Sequence, residues 1–509
     1  MKKNFLAMTA LAAMLFAGCT SSDDITTRET ITKANEAATP INFGTYMGKT
    51  GTRAGTPGTI TTDGANSTVS LQTQGFGVFA YMKGTNGATD CFTYSDPNWN
   101  WNVQTPNFMY NQQVTYSASK WSYSPVKYWP NDFSTGSVDA RTPAATGSVN
   151  AGKISFFAYA PYVAATATTG TVSPNTEGIT ALSANNADTE PWVTYKFKKT
   201  GTPEKYDLTT SQNVDLLWGT RTTASYDLAS GSETALDGKY KDSEGNSYNT
   251  DLTKQKTAET IDFNFKHALA KFGGKEGTRC GLQVVADFDL NDESPSATPS
   301  GTASNVKAAE TLITLNSIKI ENMTEDGKKF AIGGKFNLAR GTWSDWVYAG
   351  AGDLRKEYTV GSTTNAEVWE PSTLQLTYDS GWKNSTESLP GVDETFKDVF
   401  SDVEDALYFI PGGNCTMKIT VQYTVRTYDA NLVDIDGANP AETTSTKVVQ
   451  TIANVVNFGT LKSNHFYKLI IHLGMTSVKF AATVADWDTT TGSTDDTQVI
   501  WLPSNVIGS

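Results

Sequence analysis

The chain has 509 residues, 40 Lys+Arg against 53 Asp+Glu and a formal charge of -13. An acidic balance of this kind excludes a nucleic-acid binder, which needs Lys/Arg clusters to displace counterions from phosphates. Charged residues are 18%, against 21 Tyr, 23 Phe and 12 Trp, and neutral polar residues with aromatics suit pleated, half-buried surfaces and the turns between them. Composition therefore points to an all-β, non-cytosolic protein. Three His and four Cys leave little reactive chemistry. No His-x-x-x-His or Cys-x-x-Cys seeds a zinc site, so neither a metal nor a cofactor is expected. At roughly 100–200 residues per domain, the length fits two to four domains.

The first segment reads as a leader. Met1-Lys2-Lys3 supplies positive charge, and Phe5 to Phe16 is an apolar run of signal-peptide length, too short to span a bilayer. It ends in Leu15-Phe16-Ala17-Gly18-Cys19, and small residues before a Cys resemble a bacterial lipoprotein cleavage site. On that reading residues 1–18 are removed, and Cys19 becomes the first mature residue and carries acyl chains that hold the protein on a membrane. The alternative is an ordinary secretory signal with an incidental Cys. Ser21-Ser22-Asp23-Asp24 follows as an acidic tether resembling the signal that sends Bacteroidetes lipoproteins to the outer surface.

Pro40 to Met47 then roughly alternates apolar and polar residues, the period of a strand with one buried face. Gly48 to Gly58, with four Gly, a Pro, Lys49 and Arg53, reads as an exposed loop. Strand-like runs follow at Gly75 to Met82, Gln113 to Tyr116, Lys153 to Tyr159, Trp192 to Phe197, Val214 to Trp218 and Asp262 to Phe265. His267 to Ala270 reads as a helical turn. Ala164 to Thr189 and Leu228 to Thr257 show no apolar periodicity and read as surface loops.

A second series runs from Leu282 to Phe288 through Leu312 to Ile320, Leu374 to Tyr378, Leu407 to Ile410, Met417 to Val425, Tyr467 to Leu473 and Val478 to Val484. Helical stripes are absent except for short candidates such as Glu394 to Val403. Two runs of strands split near residue 270 predict two β-sandwich domains in series, 54–270 and 271–509.

Several segments together resemble the fimbrillin family, the pilus subunits of Bacteroidetes. They are Gly75 to Tyr81 (GFGVFAY), Trp121 to Pro125 (WSYSP), Tyr128-Trp129-Pro130, Ile154 to Pro161 (ISFFAYAP), Asp215-Leu216-Leu217, Phe265 to Lys271 (FKHALAK) and Phe480 to Trp487 (FAATVADW). Their order covers nearly the whole chain after the leader. The resemblance implies transthyretin-like β-sandwiches, and a non-enzymatic, surface-exposed subunit of an adhesive fimbria, anchored in the outer membrane through its lipid. It also implies assembly by strand exchange: a protease cuts after an Arg that follows the first strand, and a strand from the next subunit fills the opened groove. Here Arg53 and Ala54 flank the implied cut, in a loop where a protease can reach, so residues 19–53 would hold the tether and the removable strand. The bland reading of Arg53 is a loop cation. Gln498, Val499, Ile500, Trp501 and Leu502 form the candidate donor strand, or equally the last strand of their own domain. The implied partners are other fimbrial subunits and a processing protease.

Trp121, Tyr123, Tyr128 and Trp129 read first as core rings, with a glycan-stacking platform as the alternative. That alternative would make the protein a monomeric surface lipoprotein binding glycans. His267, beside an apolar turn, reads as a structural histidine rather than a base. No nucleophile elbow, phosphate loop or metalloprotease motif is present. Asp287 to Asn291 opens like a calcium loop but has Asp292 where Gly is needed.

Overall fold

Phe76–Met82 and Ile154–Ala160 carry almost no strongly polar residues, and a strand apolar at nearly every position is satisfied only where both faces of its sheet are covered. The computed structural model places these two strands side by side, paired antiparallel from Gly77↔Tyr159 to Met82↔Ile154. It describes residues 40–46, 59–61, 68–82, 106, 108–118, 120–129, 154–185, 190–200, 205–221, 249–252, 260–276, 279–286, 311–322, 330–348, 355–359, 374–375, 397–400, 406–412, 415–428, 445–474, 478–486, 500–501 and 504–506. Residues Thr39–Ser509 group as one compact unit, and the described part is nearly all β-strand.

In the first half the longer strands are β1 (Phe43–Tyr46), β2 (Phe76–Met82), β3 (Met109–Ser117), β4 (Lys120–Ser122), β5 (Ile154–Ala160), β6 (Gly178–Leu182), β7 (Trp192–Lys196), β8 (Leu217–Arg221) and β9 (Ile261–His267). Then come β10 (Ala270–Phe272), β11 (Leu282–Ala286), β12 (Thr311–Asn322), β13 (Ala331–Asn337), β14 (Thr342–Tyr348) and β15 (Leu407–Phe409). β16 (Thr416–Tyr428), β17 (Ser445–Asn457), β18 (His465–Leu473), β19 (Val478–Asp486), β20 (Ile500–Trp501) and β21 (Ser504–Val506) complete the series.

The first sheet has the order β1-β9-β8-β5-β2-β3-β4, and Asn249–Leu252 also pairs with β5. Because side chains alternate across a strand, its two faces feed two different cores. Phe79, Tyr81, Phe157 and Tyr159 join the main core. Phe76, Val78, Ala80, Ile154, Phe156 and Ala158 join a second one with Ile41, Phe43, Leu71, Trp129, Phe263 and Phe265.

The second sheet, β14-β13-β7-β6 with Thr171–Val172 and Ala165–Thr166, supplies Val172, Ile179, Leu182, Val193, Tyr195 and Phe336 to the main core. Trp218 of β8 meets Phe336 of β13 with ring centroids 5.5 Å apart. This sheet draws on both sides of residue 270, since β7 pairs with β13 from Trp192↔Asn337 to Lys196↔Gly333.

A third sheet runs β15-β10-β18-β19-β20, with β11 beside β18 and Lys397–Asp398 outside β11. A fourth runs from Arg355–Thr359 through β12, β16 and β17 to β21. Val284, Ala286, Leu469, Ile471 and Phe480 from the third, with Ile313, Leu315, Ile318, Ile419, Val421 and Tyr423 from the fourth, fill the rest of the main core. Two hydrogen bonds tie the layers: Tyr423 Oη donates to Gly474 O at 3.0 Å, and Asn454 Nδ2 donates to Val478 O at 3.0 Å.

Four expectations are corrected. Within Leu228 to Thr257, Asn249–Leu252 is a sheet strand paired with β5 rather than loop. Ala268 and Leu269 form a bend between β9 and β10, not a helical turn; Ala268 N instead donates to Leu216 O at 2.8 Å, prolonging the β8 pairing. Ala164 to Thr189 is not simply surface loop, because Ala165–Thr166, Thr171–Val172 and β6 are sheet strands, with Val172, Ile179 and Leu182 buried. Within Glu394 to Val403, Lys397–Asp398 is a short strand on β11 rather than helix.

Candidate functional site

Pro40-Ile41-Asn42-Phe43 alternates faces as a strand should: Ile41 and Phe43 are buried, while Asn42 is exposed. Pro40 has no N–H to give a ladder, which suits the start of an edge strand. β1 pairs in parallel with β9 through Phe43↔Ile261, Gly44↔Asp262, Thr45↔Phe263 and Tyr46↔Asn264. Ile261 N donates to Asn42 O at 2.8 Å, and on the other side Ile41 N donates to Lys127 O at 2.9 Å. β1 stands at the end of the first sheet. It is an edge strand set into a slot.

The walls of that slot are aromatic. Phe43 lies 5.2 Å from Tyr123, 5.9 Å from Phe156, 5.9 Å from Phe263 and 6.3 Å from Phe76, centroid to centroid. Such offset and edge-to-face pairs add to the area buried. Polar tips hold the backbone: Tyr123 Oη donates to Ile41 O at 2.9 Å and accepts from Lys127 N at 3.2 Å. Trp121 Nε1 donates to Thr45 Oγ1 at 3.0 Å. Burial pushes the Tyr123 hydroxyl up to about 12, against a smaller lowering by the Lys127 backbone. Full burial is worth about 1.5–3 kcal/mol per large apolar side chain, so Ile41 and Phe43 together contribute about 3–6 kcal/mol to holding the strand.

Trp121 and Tyr123 are partly buried, pack against the second core and position the strand. Trp129 is 3% exposed and packs on Phe156 at 5.9 Å, which removes it from any open stacking surface; Tyr128 is exposed. Cys19, Arg53, Ala54, Gln498, Val499 and Leu502 lie outside the described residues. Ile500 and Trp501 form β20, their backbones paired with Ala482 and Ala481 of β19. Three residues further on, β21 pairs with Asn454, Val455 and Val456 of β17. The segment therefore caps an edge strand of each sheet in the second layer pair.

His267 is buried, and its Nδ1 lies 2.7 Å from Asp215 Oδ2. Its backbone N donates to Asn464 Oδ1 at 3.1 Å. Sequence spacing could not reveal this carboxylate, 52 residues away. Cys280 and Cys415 are free and buried. Among the described residues no cluster of three or more His, Cys, Asp or Glu is gathered for a metal, and no helix is long and apolar enough to cross a membrane.

Fold and slot together define an all-β protein whose first strand is an edge element held by one ladder, two buried side chains and two aromatic donors. No family model matches the chain. The chain is similar to the fimbrium subunit Fim1C of Phocaeicola vulgatus, 24% identical over 497 residues, covering 94% of this chain and 95% of the relative. A crystal structure of a fimbrial protein from Bacteroides vulgatus matches 88% of this chain and 99% of its own at 18% identity, with a TM-score of 0.48. The resemblance to fimbrial subunits carried by the sequence motifs thus extends over nearly the whole chain.

Proposed function

We propose that the chain is a structural subunit of a cell-surface fimbria, lipidated at Cys19, cut between Arg53 and Ala54, and polymerised by a strand donated into the slot that β1 vacates. The observation that carries this reading is the slot itself. Taking β1 away leaves the β9 edge with unmade backbone hydrogen bonds beside an aromatic pocket lined by Phe76, Tyr123, Phe156 and Phe263. An incoming strand satisfies both at once, which is the physics of β-strand addition. Arg53 lies seven residues after Tyr46 in a Gly-rich stretch, where a cut separates the strand from the body without touching the ladder.

The donor in this scheme is Gln498 to Leu502, whose described members are paired with β19 over two positions only. Residues 54–270 and 271–509 serve as the two sandwich bodies, with β13 and β14 lent by the second to the first. Other fimbrial subunits are the partners, an arginine-specific protease is the processing enzyme, and the outer membrane holds the precursor. The role is adhesive scaffolding rather than catalysis. N-terminal sequencing of assembled fibres tests the cleavage: a start at Ala54 supports it, and a start at Cys19 overturns it for a polymerised subunit.

A further inference from the structure

The slot carries one feature that bears on which strand can enter it. Gly44 faces Asp262 directly in the β1–β9 ladder. A Cβ added at Gly44 would lie 1.9 Å from Asp262 Oδ1, 3.1 Å from Asp262 Cγ and 3.2 Å from Thr260 Oγ1. The carboxylate is held in that place, because Thr260 Oγ1 donates to Asp262 Oδ1 at 2.7 Å. A side chain at this register must break that hydrogen bond and turn the carboxylate aside. A glycine leaves it untouched.

We infer that Asp262, held by Thr260, makes the slot selective for a donor strand with glycine at the Gly44 register. This rests on the strand-exchange reading and deepens it by naming the chemistry of the partner. The neighbouring seats complete the pattern. The Ile41 and Phe43 seats are buried, so they demand an apolar residue and an aromatic or large apolar one two positions later. The Thr45 seat presents the Trp121 Nε1 donor, which a Ser or Thr hydroxyl accepts. The fitting occupant, running parallel to β9, is a strand of the form apolar–any–aromatic–Gly–hydroxyl from another subunit.

The same rule bears on register within the tail. The Gln498 to Leu502 run contains no glycine; with Trp501 on the Phe43 seat, Leu502 would set its Cβ against the Asp262 carboxylate. Donated between copies of this chain, that run carries the same steric penalty as an Ala at the Gly44 register, so a glycine-bearing strand from a different subunit enters in preference.

The test uses the full chain nicked at Arg53, incubated with labelled peptides of the sequence Thr39 to Tyr46 carrying either Gly or Ala at position 44. In the wild-type chain the Ala peptide should be incorporated about tenfold more weakly or worse, the scale of an ordinary steric substitution. In Asp262→Ala the two peptides should come within about twofold, and Thr260→Val, which keeps the carboxylate but frees it to turn, should fall between. Equal incorporation by the wild-type chain, or an unchanged ratio in Asp262→Ala, overturns the glycine selectivity while leaving strand exchange standing. Failure of both peptides to enter any of the three chains overturns the strand-exchange reading itself.

Discussion

Phe43→Ala is the sharpest perturbation of the first strand. Phe43 is 4% exposed and touches four rings from three directions: Tyr123, β9 with Phe263, and the central strands with Phe76 and Phe156. Removing a buried Phe side chain costs about 3–5 kcal/mol, the transfer term plus a cavity that these rings cannot collapse into. At 1.4 kcal/mol per factor of ten, that weakens the hold on β1 by about two to three and a half orders of magnitude. Because changes within one interface fall mainly on the dissociation rate, the assay is release of the N-terminal segment after cleavage at Arg53, followed by size-exclusion chromatography. Exposed Asn42→Ala serves as the control and should shift release by no more than the roughly 0.5 kcal/mol of an ordinary surface change. Release from Phe43→Ala at the wild-type rate would refute the claim that this ring anchors the strand.

Three further outcomes follow from the same geometry. Tyr123 holds its proton to about pH 12 in the fold but only to about pH 10 in an unfolded chain. The stability it lends is therefore full below pH 10 and is lost as pH rises toward 12; release of β1 should accelerate across that window, and Tyr123→Phe should start faster and respond less. Asp215→Ala removes the 2.7 Å hydrogen bond to buried His267 and should lower stability by about 1–3 kcal/mol, read as an earlier urea midpoint; an unchanged midpoint would contradict the pair's structural role. Burial pushes the Cys415 thiol up to about 12, so alkylation at pH 8, mapped by mass spectrometry, should reach it only on unfolding, since the thiolate is the reacting form.

How much of this was legible beforehand differs by element. β2, β5 and β9 announce themselves because their apolar residues are dense or strictly alternating and aromatic, which is the signal a covered sheet leaves. The slot was half legible: the alternation of Pro40 to Met47 predicts a strand, but nothing local says that it runs parallel to a partner more than 200 residues away. β13 escaped because Gly333 and Gly334 interrupt the apolar run. Those glycines are explained only by their neighbours, since a Cβ on Gly334 would press on the Trp343 ring at 3.1 Å. β17 escaped for another reason, that Val448 and Val449 stand exposed and blur the period of two. The Asp215–His267 pair and the Asp262 carboxylate over Gly44 are products of folding, with no sequence spacing to betray them.

The central claim, that this chain polymerises by filling a vacated strand slot, is tested most directly on a denaturing gel run without boiling. Full chain cleaved at Arg53 should give a ladder of detergent-resistant multimers that collapses to one band on boiling, and Arg53→Gln treated identically should give no ladder. A single monomer band from the cleaved wild-type chain, or an equal ladder from Arg53→Gln, would contradict the account.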